Sequence, residues 1–175
     1  MSEALRQLIG ETQSRFQADP ASAVVTFESD SRLQEGLRSE AALREHRLVV
    51  DEPAALGGTD AGPNPVELIL AALGTCQEIT YRAYATALRI PLDNVAVKLT
   101  GTIDLKGFFA VGDGVRPGYQ GISGTVRLQS SASEAELETL RAAVNAHCPV
   151  LDILTNPVPV ELDLHVERSP ALAAD

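Results

Sequence analysis

The stretch Gly62–Thr80, GPNPVELILAALGTCQEIT, constrains the fold more than any other part of the chain. Asn64 is a good helix N-cap and Pro65 suits the first helical position. Glu67 stands three residues after the cap, where its carboxylate can accept from the cap's own N–H. From Val66 the helix is apolar nearly all round until Gln77. It turns more polar through QEITYRAYATALR and ends near Arg89, ahead of Pro91. A helix without a polar face is a buried helix, so the rest of the chain is expected to wrap it.

The flanking segments show what is available for that. Residues 2–18 read as an amphipathic helix with Leu5, Leu8, Ile9 and Phe16 on one side, stopped by Asp19-Pro20. Residues 22–29, SAVVTFES, read as a strand. SRLQEGLRSEAALREHRLVVDEP reads as two short extended segments punctuated by Gly36 and closed by Pro53. Residues 55–65 are a loop by composition. Beyond the central helix, 95–105, 122–128 and 158–166 alternate apolar and polar residues, which predicts antiparallel strands with one wet face. Ser133 and Glu136 make a capping box for a helix ending near His147. With no repeat and no linker, residues 1–175 read as one α+β domain: an N-terminal helix over 1–20 and a core over 22–167.

The net charge of −10 argues against nucleic acid or an anionic membrane as partner. The N-terminus lacks the apolar core of a secretory signal, and the run Leu68–Cys76 is far shorter than a bilayer span. Two cysteines without such a signal fit a reducing compartment, so a cytoplasmic protein is expected.

Those two cysteines carry the chemistry. Cys76 has Ala72, Leu73, Ile79 and Thr80 as helical neighbours. Burial among them raises a thiol pKa, so Cys76 taken alone reads as an inert core residue. Cys148 stands where one helix ends and PVLDIL offers a new turn with Pro149 first. That makes it an N-cap close to unpaired N–H groups that favour a thiolate. Two such thiols are the minimum for a redox cycle, but spacing alone does not show that they meet. A zinc site drawn from Cys76, Cys148, His147 and His46 lacks a ligand spacing, so neither metal nor cofactor is expected. A Cys/His hydrolase with His147 or His46 as base lacks a nucleophile elbow.

GPNPVELILAALGTC, followed some seventy residues on by HCPV, resembles the OsmC/Ohr family: osmotically inducible protein C and the organic hydroperoxide resistance proteins. The resemblance runs from about residue 22 to 167. It implies an OsmC-like α+β fold, an intertwined homodimer whose sheets enclose long central helices. It implies reduction of organic hydroperoxides, with Cys76 as the peroxidatic thiol, Cys148 as the resolving thiol and an external dithiol as reductant. It also implies an assisting arginine, matched best by Arg38 with Arg32 as runner-up, and an assisting glutamate. Here the chain departs from the family: Val66 holds the position after Asn-Pro, and Glu67 comes one residue later with a sufficient role as a cap. These departures fit a less characterised OsmC-like branch. Phe108 and Phe109, in the loop GFFAVGDGVRPGY, are candidates to line a substrate pocket or a dimer contact, or to pack on the sheet edge. The rival reading is a non-catalytic dimeric domain that binds a small apolar ligand, with the cysteines incidental.

Overall fold

The computed structural model describes residues 3–168. Its longest element, α2 (Pro65–Leu88), forms as its caps predict. The Asn64 side chain accepts from the Glu67 N–H at 2.9 Å, and the Glu67 carboxylate accepts from the Asn64 N–H at 2.9 Å. The helix closes at Arg89, whose left-handed backbone (φ 60°) turns the chain towards Pro91.

Two antiparallel sheets accompany it. The first has the order β1 (Asp30–Leu33), β2 (Ser39–Leu43), β3 (His46–Val50), with Ser31 opposite Ala41 and Ala41 opposite Leu48. Gly36, at φ 63°, lies in the first turn as expected; Arg44, at φ 55°, makes a second turn that splits the region into three strands. The second sheet pairs β4 (Asn94–Ile103) with β5 (Tyr119–Gln129), Val97 opposite Val126. The alternation of β4 is realised, with Val95, Val97, Leu99 and Ile103 on the more buried face. Leu105, expected to continue that strand, instead opens the single turn α3 (Leu105–Phe108).

Helix α1 (Glu3–Ala18) half-buries Leu5, Ile9 and Phe16 and packs against α2. Helices α4 (Glu134–His147) and α5 (Pro149–Thr155) also pack on α2, and Ser133 caps α4 with Glu136 as its capping-box partner. The core is a cluster of Tyr81 and Ala85 from α2, Ile90 and Leu92 just after it, and Leu140 and Val144 from α4.

Three expectations are corrected. Residues 22–29 are not a strand: a 3-10 turn covers Pro20–Ala23, 24–29 has no regular element, and the strand starts at Asp30. Residues 158–166 alternate in sequence but pair with no strand among the described residues, leaving Val160, Leu162 and Leu164 exposed, Leu162 at 91%. Both segments have the composition of strands, but a strand exists only as a ladder with an edge to pair to, and neither pairs with one among the described residues. Finally, α2 is not buried all round. Leu73, Gln77, Thr80 and Tyr81 are covered, whereas Ile69, Ala72, Thr75 and Ile79 face outward, Ile79 at 68%. Among the described residues no helix is long and apolar enough to cross a membrane.

Candidate active site

The packing that builds the core also sets the thiols opposite each other. Leu140 and Val144 fix the position of α4 against Tyr81 and Ala85 of α2. One turn beyond Val144 the chain reaches Cys148, which is both the last cap of α4 and the first cap of α5. Cys148 is 1% exposed, whereas Cys76, midway along α2, is half-buried. The sulfurs lie 3.3 Å apart, with Cys148 placed to donate to Cys76. That is well beyond an S–S bond of about 2.05 Å, so the pair is a dithiol in contact.

Burial pushes the Cys76 thiol up, and the adjacent Cys148 adds to that rise. The backbone N–H of Val150 and the side chain of Thr80 act the other way, favouring the ionised sulfur. The first turn of α5 therefore serves Cys76. Cys148 is the N-cap of α5 as expected, but its side chain makes no capping bond. Because two thiolates in contact repel strongly, this pair holds one negative charge at a time.

Two polar arrangements order the approach to α2. Asp51, buried at the end of β3, accepts from the Thr59 hydroxyl (2.6 Å) and from the N–H groups of Glu52, Thr59 and Ala61 at 2.8, 2.9 and 3.2 Å. The Thr59 hydroxyl, helped by these N–H groups, holds its carboxyl down at about 2 against the cost of burial. The Tyr119 hydroxyl, at the start of β5, donates to the Val66 carbonyl in the first turn of α2 at 2.7 Å. Neither residue stood out in the sequence. Thr80 lay within reach of inspection, because a threonine four residues after a cysteine on one helix stands directly above it.

The other expected site residues are dispersed. Arg38 sits in the turn before β2, half-buried, with its Nε buried and without a hydrogen-bond partner among the described residues. Arg32 lies exposed on β1, opposite Glu40. Among the described residues neither arginine is hydrogen-bonded to Cys76. Glu67 is spent on its cap. Phe108 and Phe109 pack edge to face, ring centroids 5.1 Å apart, and stay exposed, Phe108 at 70%. His147 stacks on Tyr84 and its Nδ1 lies 2.8 Å from the Ala143 carbonyl. His46 lies beside Glu45. Among the described residues no three His, Cys, Asp or Glu side chains gather as a metal site requires.

A family model described as OsmC-like protein matches residues 58–163, more than half of the chain. That span holds both cysteines, α2 and the second sheet. No curated protein matches the sequence. Among solved structures, an OsmC-like protein from Mycoplasma pneumoniae is 20% identical and superposes with a TM-score of 0.66, over 76% of this chain and 89% of that one. An organic hydroperoxide resistance protein OsmC from Legionella pneumophila is 20% identical, with a TM-score of 0.58, over 76% and 91%. An organic hydroperoxide resistance protein from Elizabethkingia anophelis, with thiocyanate bound, is 16% identical, with a TM-score of 0.53, over 77% and 91%. At these identities the likeness is one of fold: mixed α and β with antiparallel sheets.

Proposed function

Because the chain belongs to the OsmC-like protein family, we propose that it reduces organic hydroperoxides through a two-cysteine cycle. The observation that carries this reading is the placement of the thiols: a half-buried Cys76 stands in front of a fully buried Cys148, 3.3 Å from it. The Cys76 thiolate attacks the outer peroxide oxygen and the O–O bond breaks. The alkoxide leaves, takes a proton and departs as an alcohol, and Cys76 becomes a sulfenic acid. The Cys148 sulfur then attacks the sulfenic sulfur, a disulfide forms and water leaves. An external dithiol restores both thiols by exchange and is itself oxidised. No metal or cofactor enters this cycle.

We assign Arg38 an assisting role, with Arg32 as the second candidate. The buried, unpaired Nε of Arg38 supports this assignment, since such a donor calls for an acceptor. Phe108 and Phe109 are proposed to supply apolar wall to the substrate site. The protein is proposed to act in the cytoplasm as a homodimer. The open face of α2, together with the unpaired apolar rows at 24–27 and 158–166, supports a second copy as their cover. Sedimentation at low micromolar concentration tests this, and a folded monomer would overturn it.

The reaction is tested with stoichiometric tert-butyl hydroperoxide followed by mass spectrometry. The expected result is one Cys76–Cys148 disulfide per peroxide consumed, with Cys76 reacting far faster than Cys148. Two slow, independent thiols would instead support a ligand-binding domain with incidental cysteines.

A further inference from the structure

Thr80 stands one turn after Cys76 on α2 and is 7% exposed. Its hydroxyl donates to the Cys76 carbonyl at 2.7 Å, and a side chain four residues on lies against the Cys76 side chain, where it favours the ionised sulfur. A hydroxyl carries one proton on a free torsion, so it serves one of these acceptors at a time. The carbonyl does not depend on it, because within a helix it already accepts from the backbone N–H four residues on. A thiolate beside it would be the stronger acceptor.

We propose that the Thr80 hydroxyl turns from the Cys76 carbonyl to the Cys76 sulfur when that thiol ionises, and so sets how readily Cys76 becomes a nucleophile. Charged groups on the helices that meet near Cys76 are engaged with other partners. On α2, Glu78 accepts from the Val97 N–H of β4, and Arg82 is engaged with the Leu92 and Asp93 carbonyls. From α4, His147 stacks on Tyr84. From α5, Asp152 accepts from the Asn156 amide, and from α1, Arg6 is paired with Glu3. Cys148 is the titratable group in contact with the Cys76 sulfur. Thr80 is thus a positioning residue acting through Cys76. The inference rests on the reading of Cys76 as the attacking thiol, but its test needs no peroxide.

The test is the rate of alkylation of the Cys76 peptide by iodoacetamide, read by mass spectrometry from about pH 6 to about pH 10. Thr80→Val keeps the shape and removes the proton. Its midpoint should move to higher pH, with alkylation at neutral pH slowed about tenfold and the high-pH plateau unchanged. Thr80→Ser should restore the wild-type profile. If Thr80→Val does not fold by circular dichroism, Thr80→Ala removes the same proton from a better helix former. A folded Val or Ala variant whose profile overlays the wild type overturns the proposal, as does a Ser variant that behaves like Val. A wild-type chain that fails to consume peroxide, yet shows these shifts, would overturn the peroxidase reading and leave the role of Thr80 standing.

Discussion

The Cys148 thiol points at the Cys76 sulfur from a fully buried position, although 72 residues separate the two in sequence. An unequal pair of this kind gives unequal mutants. Cys76→Ser should abolish peroxide consumption. Cys148→Ser should keep the first turnover but leave the sulfenic acid without a partner, so Cys76 should proceed to sulfinic acid, seen by mass spectrometry as two added oxygens. If Cys148→Ser removes the first turnover as completely as Cys76→Ser, the assigned roles are wrong.

Acid should weaken the loop before α2. The Asp51 carboxyl is held at about 2, below the roughly 3.9 of an unfolded aspartate. A depressed carboxyl stabilises the fold wherever it is ionised. That stability is fully present above about pH 4 and is lost as the pH falls towards 2. Asp51→Asn should lower the melting temperature near neutral pH, because one oxygen becomes a donor that faces either the Glu52 N–H or the two N–H groups and the hydroxyl held by the other oxygen. The gap between wild type and variant should close as the pH falls through that window. A gap independent of pH would mean that packing, and not the charge, is what Asp51 supplies.

Tyr119 ties β5 to the first turn of α2, and Gly101 makes room for it. A β-carbon at Gly101 would lie 2.4 Å from the Tyr119 ring. Tyr119→Phe should cost about 0.5–1.5 kcal/mol through the lost bond to the Val66 carbonyl. Gly101→Ala should cost about 1–3 kcal/mol, because the ring must swing aside and release the same bond. The two losses should therefore not add in urea unfolding of the double variant. Simple additivity would show that the ring keeps its bond when Gly101 is filled.

Local signals were legible in the sequence, and pairings were not. Asn64 with Glu67, and Ser133 with Glu136, cap their helices as read, because each box lies within four residues of chain. The alternation of Val95, Val97 and Leu99 likewise needs only its own strand. The meeting of Cys76 with Cys148 depends on how Leu140 and Val144 seat on Tyr81 and Ala85, which no spacing reveals. The segments at 22–29 and 158–166 differ from expectation for the same reason: their residues suit a pleated surface, but among the described residues no strand pairs with them. The influence of α5 on Cys76 was hidden too, since Cys148 is the N-cap of α5 and yet the Val150 N–H favours the ionised form of Cys76.

Leu140 is the part of α4 most tightly held, fully buried among Tyr81, Ala85 and Val144. Leu140→Ala should cost about 2–5 kcal/mol in urea unfolding. It should also slow disulfide formation after peroxide treatment, because α4 carries Cys148 to its place. A destabilised variant that closes the disulfide at the wild-type rate would show that α5 alone positions Cys148.

Glu67 separates a cap from a catalytic group. Its carboxylate accepts from the Asn64 N–H, and Val66 occupies the position after Asn-Pro where the resemblance to hydroperoxide resistance proteins calls for a glutamate. One residue along a helix is a turn of about 100°, so Glu67 leaves α2 in a different direction from a side chain at 66. Glu67→Gln keeps an oxygen that accepts from the cap N–H, and should leave both stability and peroxide turnover unchanged. Glu67→Ala loses that bond and should cost about 0.5–1 kcal/mol, again with little change in kcat/KM for peroxide. The measurement is urea unfolding beside single-turnover peroxide kinetics for both variants. A Gln variant of wild-type stability that loses turnover a hundredfold would show that the charge of Glu67 reaches the reacting atoms, and would return the assisting role to it.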